Sequence, residues 1–181
     1  MVLESAQYQD NAFVTLTFDD ENLPEDLSVN KRDIQLFMKQ LRYRWKEWYG
    51  KGEIRYFAVG EYGEKSLRPH YHLLLFNFPT CFHGITRKRA MDQKGSCCPV
   101  CDLVNDTWKQ GHIYLGEVTE QSAAYVAGYT VKGWTRNMPI DRDPEFTLAS
   151  RRPGLGEGFA HEIASSLLAD RASHIPRVVR H

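Results

Sequence analysis

The sequence predicts an α+β fold, a single antiparallel sheet with flanking helices. Three observations carry that prediction. Short runs rich in β-branched and aromatic residues recur along the chain, and two of them are separated only by the polar hexapeptide Gly63–Arg68, a hairpin spacing. Between the first two runs lies a long segment with helical apolar periodicity. The resulting order, β-α-β-β-insert-β-α, lacks the regular strand–helix alternation of a parallel sheet and suits helices packed on an antiparallel one.

The elements follow in order. Phe13-Val14-Thr15-Leu16-Thr17-Phe18 reads as a strand and ends in an Asp/Asn/Pro cluster that makes a turn. Asn30 is placed to cap a helix whose Ile34, Phe37, Met38, Leu41, Trp45 and Trp48 share a face, and Gly50 stops it. That spacing makes most of these aromatics core residues rather than a stacking platform. Ile54 to Tyr62 and Pro69 to Phe76 are the two hairpin strands. Residues 77–101 turn irregular and basic, carry all the cysteines, and read as an insertion. His112 to Val118 is a further strand, after which Thr119 caps an Ala-rich helix from Glu120 to about Lys132. Residues 133–181 read as a loop-rich tail, with Arg151-Arg152-Pro153-Gly154 in a loop and a short terminal helix around Ile163 to Leu168. At 181 residues the chain is expected to form one domain comprising residues 1–181.

Composition narrows the function classes. Hydrophobic residues make up 42% and charged residues 25%, which excludes wholesale disorder. No stretch approaches 18 consecutive apolar residues and the first residues lack a basic region followed by an apolar core, so neither a membrane partner nor a secretory signal is expected. A cytoplasmic location follows as the expectation. Net charge is zero, but it is segregated: Asp19, Asp20, Glu21, Glu25 and Asp26 cluster together, and Lys31, Arg32, Lys39, Arg42, Arg44, Lys46 and Lys51 follow within 21 residues against two acids. A polyanion responds to a local face rather than to the sum, so a neutral chain remains compatible with DNA.

Three groups of residues could do chemistry. His70 and His72 stand two apart in a strand, so both imidazoles leave one face while Tyr71 points away. The hairpin can return Glu61 to them, with Glu64 as the other carboxylate. Two imidazoles and one carboxylate with open positions suit Mg²⁺ or Mn²⁺ that must also hold a phosphate, with zinc as the rival ion. Tyr125 and Tyr129 lie one turn apart on one helix face, with Lys132 on the same face. A free tyrosine has a pKa of about 10, so as a nucleophile it needs a cation beside it. The third group is Cys81, Cys97, Cys98 and Cys101, all within 21 residues. Cys98-Pro99-Val100-Cys101 has zinc-knuckle spacing, and Cys81 with His83 or Cys97 could complete a tetrahedral structural zinc site; the plainer reading is four reduced thiols in a loop.

Taken together, these segments resemble the HUH endonucleases. Phe13 to Asp20 resembles their first motif, Gly60-Glu61-Tyr62 through His70-Tyr71-His72-Leu73 their metal motif, and Ala124-Tyr125-Val126-Ala127-Gly128-Tyr129-Thr130-Val131-Lys132 their tyrosine motif in its two-tyrosine form, all in the family's order. The wording is most similar to replication initiators of microviruses, small single-stranded DNA bacteriophages. The resemblance departs at one position: where the family commonly has a base three residues after the first tyrosine, this chain has Gly128. It implies a ferredoxin-like or RNA-recognition-motif-like sheet. It further implies a site-specific nickase and strand transferase that starts rolling-circle replication through a 5′-phosphotyrosine link. His70, His72 and Glu61 would be the metal ligands, Tyr125 and Tyr129 the nucleophiles, and Lys132 the neighbouring cation. Single-stranded DNA or a replication origin would be the partner, with a host replication helicase and polymerase as further ones. A related HUH transposase or relaxase, and a non-catalytic nucleic-acid binder with a zinc-ribbon-like insert, are the alternative readings.

Overall fold

The computed structural model describes residues 1–50, 52–83, 97–132 and 141–173, with the backbone alone for 129–132 and 169–173. Lys51 of the basic run, most of the insertion (84–96) and parts of the tail (133–140 and 174–181) lie outside the described residues. Five strands form one sheet: β1 (Asn11–Thr17), β2 (Arg55–Tyr62), β3 (Pro69–Phe76), β4 (Ile113–Glu117) and β5 (Phe146–Ala149). Their order is β4-β1-β3-β2-β5, and every neighbouring pair is antiparallel. The helices among the described residues are α1 (Val2–Ser5), α2 (Lys31–Tyr49), α3 (Pro99–Trp108), α4 (Glu120–Lys132) and α5 (Glu157–Ser173).

Strand alternation builds two cores on the two faces of this sheet. On one face Ala12, Val14 and Leu16 of β1, Tyr71, Leu73 and Leu75 of β3 and Ala58 of β2 pack beneath α2 and α3. On the other, Phe13, Val59, Leu74 and Phe76 pack beneath Ala123 and Val126 of α4. Helix α2 begins where Asn30 Oδ1 accepts from Arg32 N at 2.9 Å and ends at Gly50, whose φ of 64° is the left-handed stop. Its buried stripe is Ile34, Phe37, Met38, Leu41 and Trp45. Trp48 departs from the expected stripe and is 55% exposed. The last side chain to enter the core is Trp45, which closes against Phe78 with ring centroids 4.8 Å apart.

The insertion holds a helix that its cysteines conceal in the sequence. Helix α3 starts at Pro99, a residue suited to the first helical position, and buries Val100, Cys101, Leu103, Val104, Thr107 and Trp108. Trp108 Nε1 donates to the Thr17 carbonyl at 2.8 Å, so the indole fills the core with its polar atom satisfied. With α3 in place, the succession from β1 to β4 is β-α-β-β-α-β, the split βαβ arrangement of ferredoxin-like sheets.

The tail supplies more than loop. Strand β5 joins the free edge of β2, with Phe57 opposite Ala149 and Gly60 opposite Phe146. A side chain at Gly60 would collide with the Phe146 ring, whose nearest carbon lies 2.6 Å from where a Cβ would sit, so glycine lets β5 cross there. Helix α5 is longer than the short apolar stretch expected, and its Ile163, Leu167 and Leu168 are exposed. The N-terminal turn is fixed by an ion pair between buried Arg55 and Glu4, with Arg55 Nη2 also donating to the Pro153 carbonyl at 2.7 Å and Glu4 Oε2 accepting from Gly156 N at 2.7 Å. Among the described residues no helix is long and apolar enough to cross a membrane.

Candidate metal and nucleophile site

The site is built from one hairpin. Gly63 N donates to the Arg68 carbonyl at 3.0 Å and Leu67 N to the Gly63 carbonyl at 2.9 Å, closing the turn between β2 and β3. The register that follows sets Glu61 opposite His70 and Val59 opposite His72. Tyr71 points to the other face, where its hydroxyl donates to Asp33 Oδ2 at 2.7 Å and accepts from Asn30 N at 2.9 Å. The middle residue of the pair therefore anchors the start of α2 while its neighbours face the site.

On that face Glu61 Oε1 lies 2.7 Å from His70 Nε2 and 2.9 Å from His72 Nε2. The three donor atoms all lie within 4.8 Å of one another. The Glu61 side chain is 2% exposed, and its Oε2 is buried without a hydrogen-bond partner. Glu64 stays exposed in the turn, so Glu61 is the carboxylate that joins the histidines.

The far side of each imidazole is also held. His70 Nδ1 lies 3.2 Å from the Arg68 carbonyl, which can only accept, so Nδ1 carries the proton and Nε2 faces the carboxylate. His72 Nδ1 lies 3.0 Å from Thr15 Oγ1, supplied by β1 directly opposite it. Phe13 stacks on His72 at 5.5 Å between centroids, with a 14° interplanar angle. Burial pushes the Glu61 carboxyl up, but the hydrogen bonds and charge of the two histidines outweigh it and hold Glu61 below the usual carboxylate range. Burial likewise pushes His70 down, and the hydrogen bond and charge of Glu61 outweigh it and hold His70 above the usual imidazole value.

This donor set fits a divalent cation. Two imidazole Nε2 atoms converge on one carboxylate oxygen, the second carboxylate oxygen is buried and unpaired, and Nδ1 partners orient both rings as outer-shell groups do around a metal. In the cation's absence a proton on His70 supplies the positive charge that Glu61 faces.

Helix α4 crosses this same face. Its start is a reciprocal cap: Thr119 Oγ1 accepts from Ser122 N at 3.1 Å, and Thr119 N donates to Ser122 Oγ at 2.8 Å. Ala123 and Val126 bury into the core. Tyr125, 45% exposed, meets His72 edge-on with ring centroids 5.3 Å apart and an 83° interplanar angle. Tyr129 and Lys132 are in the backbone of α4, but their side chains lie outside the described residues. The basic residues of α2 are on the opposite face of the sheet and do not line this site.

Thr15 and Phe13 were not singled out from the sequence, although both belong to the first strand motif. Alternation puts them on the Phe13-Thr15-Thr17 face, but only the pairing of β1 with β3 reveals that His72 is their neighbour. The four cysteines come together on the α2 and α3 side of the sheet, and His83 is not among them: its Nε2 lies 3.0 Å from the Cys97 carbonyl.

An antiparallel split βαβ sheet with a two-histidine, one-carboxylate cluster on one face, beneath a helix that brings a tyrosine to it, defines the class of the domain. The chain belongs to the ORF2 family of replication-associated proteins, whose model matches residues 11–134, from β1 to just beyond α4. It is 36% identical over 143 residues to Replication-associated protein VP4 of Bdellovibrio phage phiMH2K, an alignment covering 77% of this chain and 44% of that protein. It is 37% identical over 126 residues to Replication-associated protein ORF2 of Spiroplasma virus 4, covering 67% and 38%. Replication-associated protein ORF4 of Chlamydia phage 1 is 26% identical over 165 residues, covering 88% and 41%. The chain thus spans less than half the length of these relatives. No solved structure matches it.

Proposed function

We propose that this chain is the nicking domain of a phage rolling-circle replication initiator, a site-specific single-stranded DNA endonuclease and strand transferase. The observation that carries the reading is the convergence of Glu61, His70 and His72 next to the Tyr125 ring. Membership in a family of replication-associated proteins supports the setting.

Glu61, His70 and His72 would hold Mg²⁺ or Mn²⁺. When bound, such a cation binds the scissile phosphate and offsets the negative charge that develops on it. The Tyr125 phenolic oxygen attacks phosphorus in line, forming the Tyr–O–P bond as the P–O3′ bond breaks. The phenolic proton leaves to solvent and the departing 3′ oxygen takes one up, giving a 5′-phosphotyrosine link and a free 3′-hydroxyl. A polymerase can extend that hydroxyl, which makes the host replication machinery the natural partner. Tyr129, one turn farther along α4, is the second nucleophile, which the terminating cut requires while the first 5′ end is still attached. Lys132 supplies positive charge beside the two phenols.

The test is incubation of the protein with labelled single-stranded phage DNA and Mn²⁺, followed by denaturing electrophoresis. A covalent adduct should form that is lost in EDTA and in the Tyr125→Phe/Tyr129→Phe double variant, while His72→Ala should abolish cleavage and spare most DNA binding. An adduct that survives the double substitution would remove both tyrosines from the mechanism, and a His72→Ala protein that nicks at the parent rate would remove the cluster.

A further inference from the structure

The four thiols on the other face of the sheet form a second cluster that nicking chemistry does not use. Cys81 follows the exit from β3, Cys97 and Cys98 lead into α3, and Cys101 lies in its first turn. Cys81 Sγ lies 3.6 Å from Cys97 Sγ and 4.0 Å from Cys98 Sγ, and the four sulfurs all fall within 4.8 Å of one another. A disulfide would need about 2.05 Å. Four thiolates at about 2.3 Å around one zinc ion would stand about 3.8 Å apart at the edges of the tetrahedron, a value bracketed by the two separations.

The surroundings suit one ion and no other arrangement. Cys81 approaches two other sulfurs, which is the pattern of a cage and not of a bridged pair. Cys98 is the N-cap of α3, and its Sγ accepts from Cys101 N at 3.5 Å, so the Cys-Pro-Val-Cys turn directs a backbone donor and a helix start at sulfur, both of which favour the thiolate. Cys81, Cys98 and Cys101 are at most 5% exposed and pack with Val100 and Val104. Without a cation this is a poor place for four sulfurs: burial pushes the Cys101 thiol up, and its contacts with Cys98 and Cys81 push it further. His83 is engaged with a carbonyl, so the donor set is all sulfur and leaves no open position for a substrate. Soft thiolates select against Mg²⁺ and Mn²⁺, and a cage this tight encloses a single ion, whereas a multi-iron cluster spreads its thiolates around an inorganic core.

We propose that Cys81, Cys97, Cys98 and Cys101 bind one structural Zn²⁺ that fastens the start of α3 to the exit of β3. Binding displaces the thiol protons to solvent and involves no change of oxidation state. The ion closes the long excursion between Cys81 and Cys97 without requiring that excursion to fold. It also fixes the helix whose other end carries Trp108, hydrogen-bonded to Thr17 at the end of β1. The site stands whether or not the chain nicks DNA, because it shares no residue with the Glu61, His70 and His72 cluster.

The experiment is native mass spectrometry of the whole chain, purified reduced and without chelator. One zinc per chain is expected, retained in His72→Ala and lost in Cys101→Ser. In parallel, Co²⁺ added to the chelator-stripped protein should give thiolate-to-cobalt charge-transfer absorption that one equivalent of Zn²⁺ abolishes. This reading works on the parent protein even if Cys101→Ser fails to fold. A folded parent that carries no zinc and gives no cobalt–thiolate band overturns the proposal. So does zinc that persists in Cys101→Ser but leaves with His72→Ala, which would locate the ion at the other cluster.

Discussion

Thr15→Val removes one hydroxyl beside the candidate metal cluster and changes little else. Valine keeps the branched shape and the strand preference of threonine, so β1 should hold its register. What is lost is the 3.0 Å contact from Thr15 Oγ1 to His72 Nδ1. Its weight depends on the state of the site. Without metal, His72 can place its proton on Nε2 and donate to Glu61 Oε1 at 2.9 Å, so loss of the Thr15 contact costs little. With a cation on Nε2, the proton must sit on Nδ1, and its partner there is the Thr15 hydroxyl. The His72 side chain is 8% exposed, so water does not readily replace that partner. Stranding a buried donor costs about 1–3 kcal/mol, and because the cost falls mainly on the bound state it should appear as a loss of roughly five- to 150-fold in metal affinity. That range overlaps the roughly 10- to 100-fold effect typical of outer-shell partners of metal-bound histidine. The assay is Mn²⁺ binding followed by the electron paramagnetic resonance of the free ion, paired with nicking rates across an Mn²⁺ titration. The titration curve should move to higher Mn²⁺ and reach the parent plateau. Affinity within twofold of the parent would refute the account of His72, and a lowered plateau at unchanged affinity would make Thr15 a DNA contact instead.

Four other outcomes follow from the same geometry. Tyr71→Phe removes a buried hydroxyl that serves both Asn30 and Asp33, and chemical denaturation should show a loss of about 1–3 kcal/mol while nicking per folded molecule is unchanged. Gly128→Ala should raise stability by about 1 kcal/mol, since a Cβ there meets nothing within 4 Å and Ala is the better helix former; a fall in the unfolding midpoint would contradict it. Tyr125→Phe and Tyr129→Phe, tested singly, should each keep some single-cut activity, and complete loss in one of them would leave a one-tyrosine enzyme. In EDTA, thermal stability should peak in mildly acid solution. The Glu61 contribution is present above the usual carboxylate range and is lost as pH falls through its depressed value; the His70 contribution is complete below the usual imidazole range and is lost as pH rises through its raised value. Saturating Mn²⁺ should move the optimum upward, because only neutral imidazole ligates, and melting curves in about half-unit pH steps would detect a failure to move.

How much of this was legible in the sequence depended on how far apart the interacting residues lie. The periodicity of α2, its Asn30 cap and its Gly50 stop are local signals, and so is the β2–β3 hairpin. All three candidate metal ligands come from that hairpin, which is why strand alternation and one tight turn sufficed to group them. Helix α3 also had its signal, with Pro99 at the first position and Val100, Leu103, Val104 and Thr107 at helical spacing, but the cysteines and basic residues before it drew the boundary of the insertion one turn too far. Strand β5 had none: four residues long, it is defined by pairing with β2 about 90 positions earlier. The Arg55–Glu4 pair and the Thr15–His72 contact are equally non-local.

The partition of donors across the sheet has a chemical consequence that neither cluster has alone. Imidazole and carboxylate converge on the face covered by α4, where Tyr125 reaches them, and the four thiols converge on the face covered by α2 and α3. A zinc ion would bind well to either set, since affinity across divalent first-row ions favours zinc over manganese almost regardless of site. A closed all-thiolate cage outcompetes the mixed set for zinc because thiolate is the softer ligand, and it offers Mg²⁺ or Mn²⁺ nothing they prefer. On the reading proposed here, the cysteine cage therefore takes a stoichiometric zinc ion in preference to the nicking site. In the Cys101→Ser protein that preference is gone, so nicking at fixed Mn²⁺ should become sensitive to low Zn²⁺ while the parent tolerates one equivalent. Equal inhibition of both proteins by the first equivalent of zinc would show that the two clusters do not divide the ions in this way.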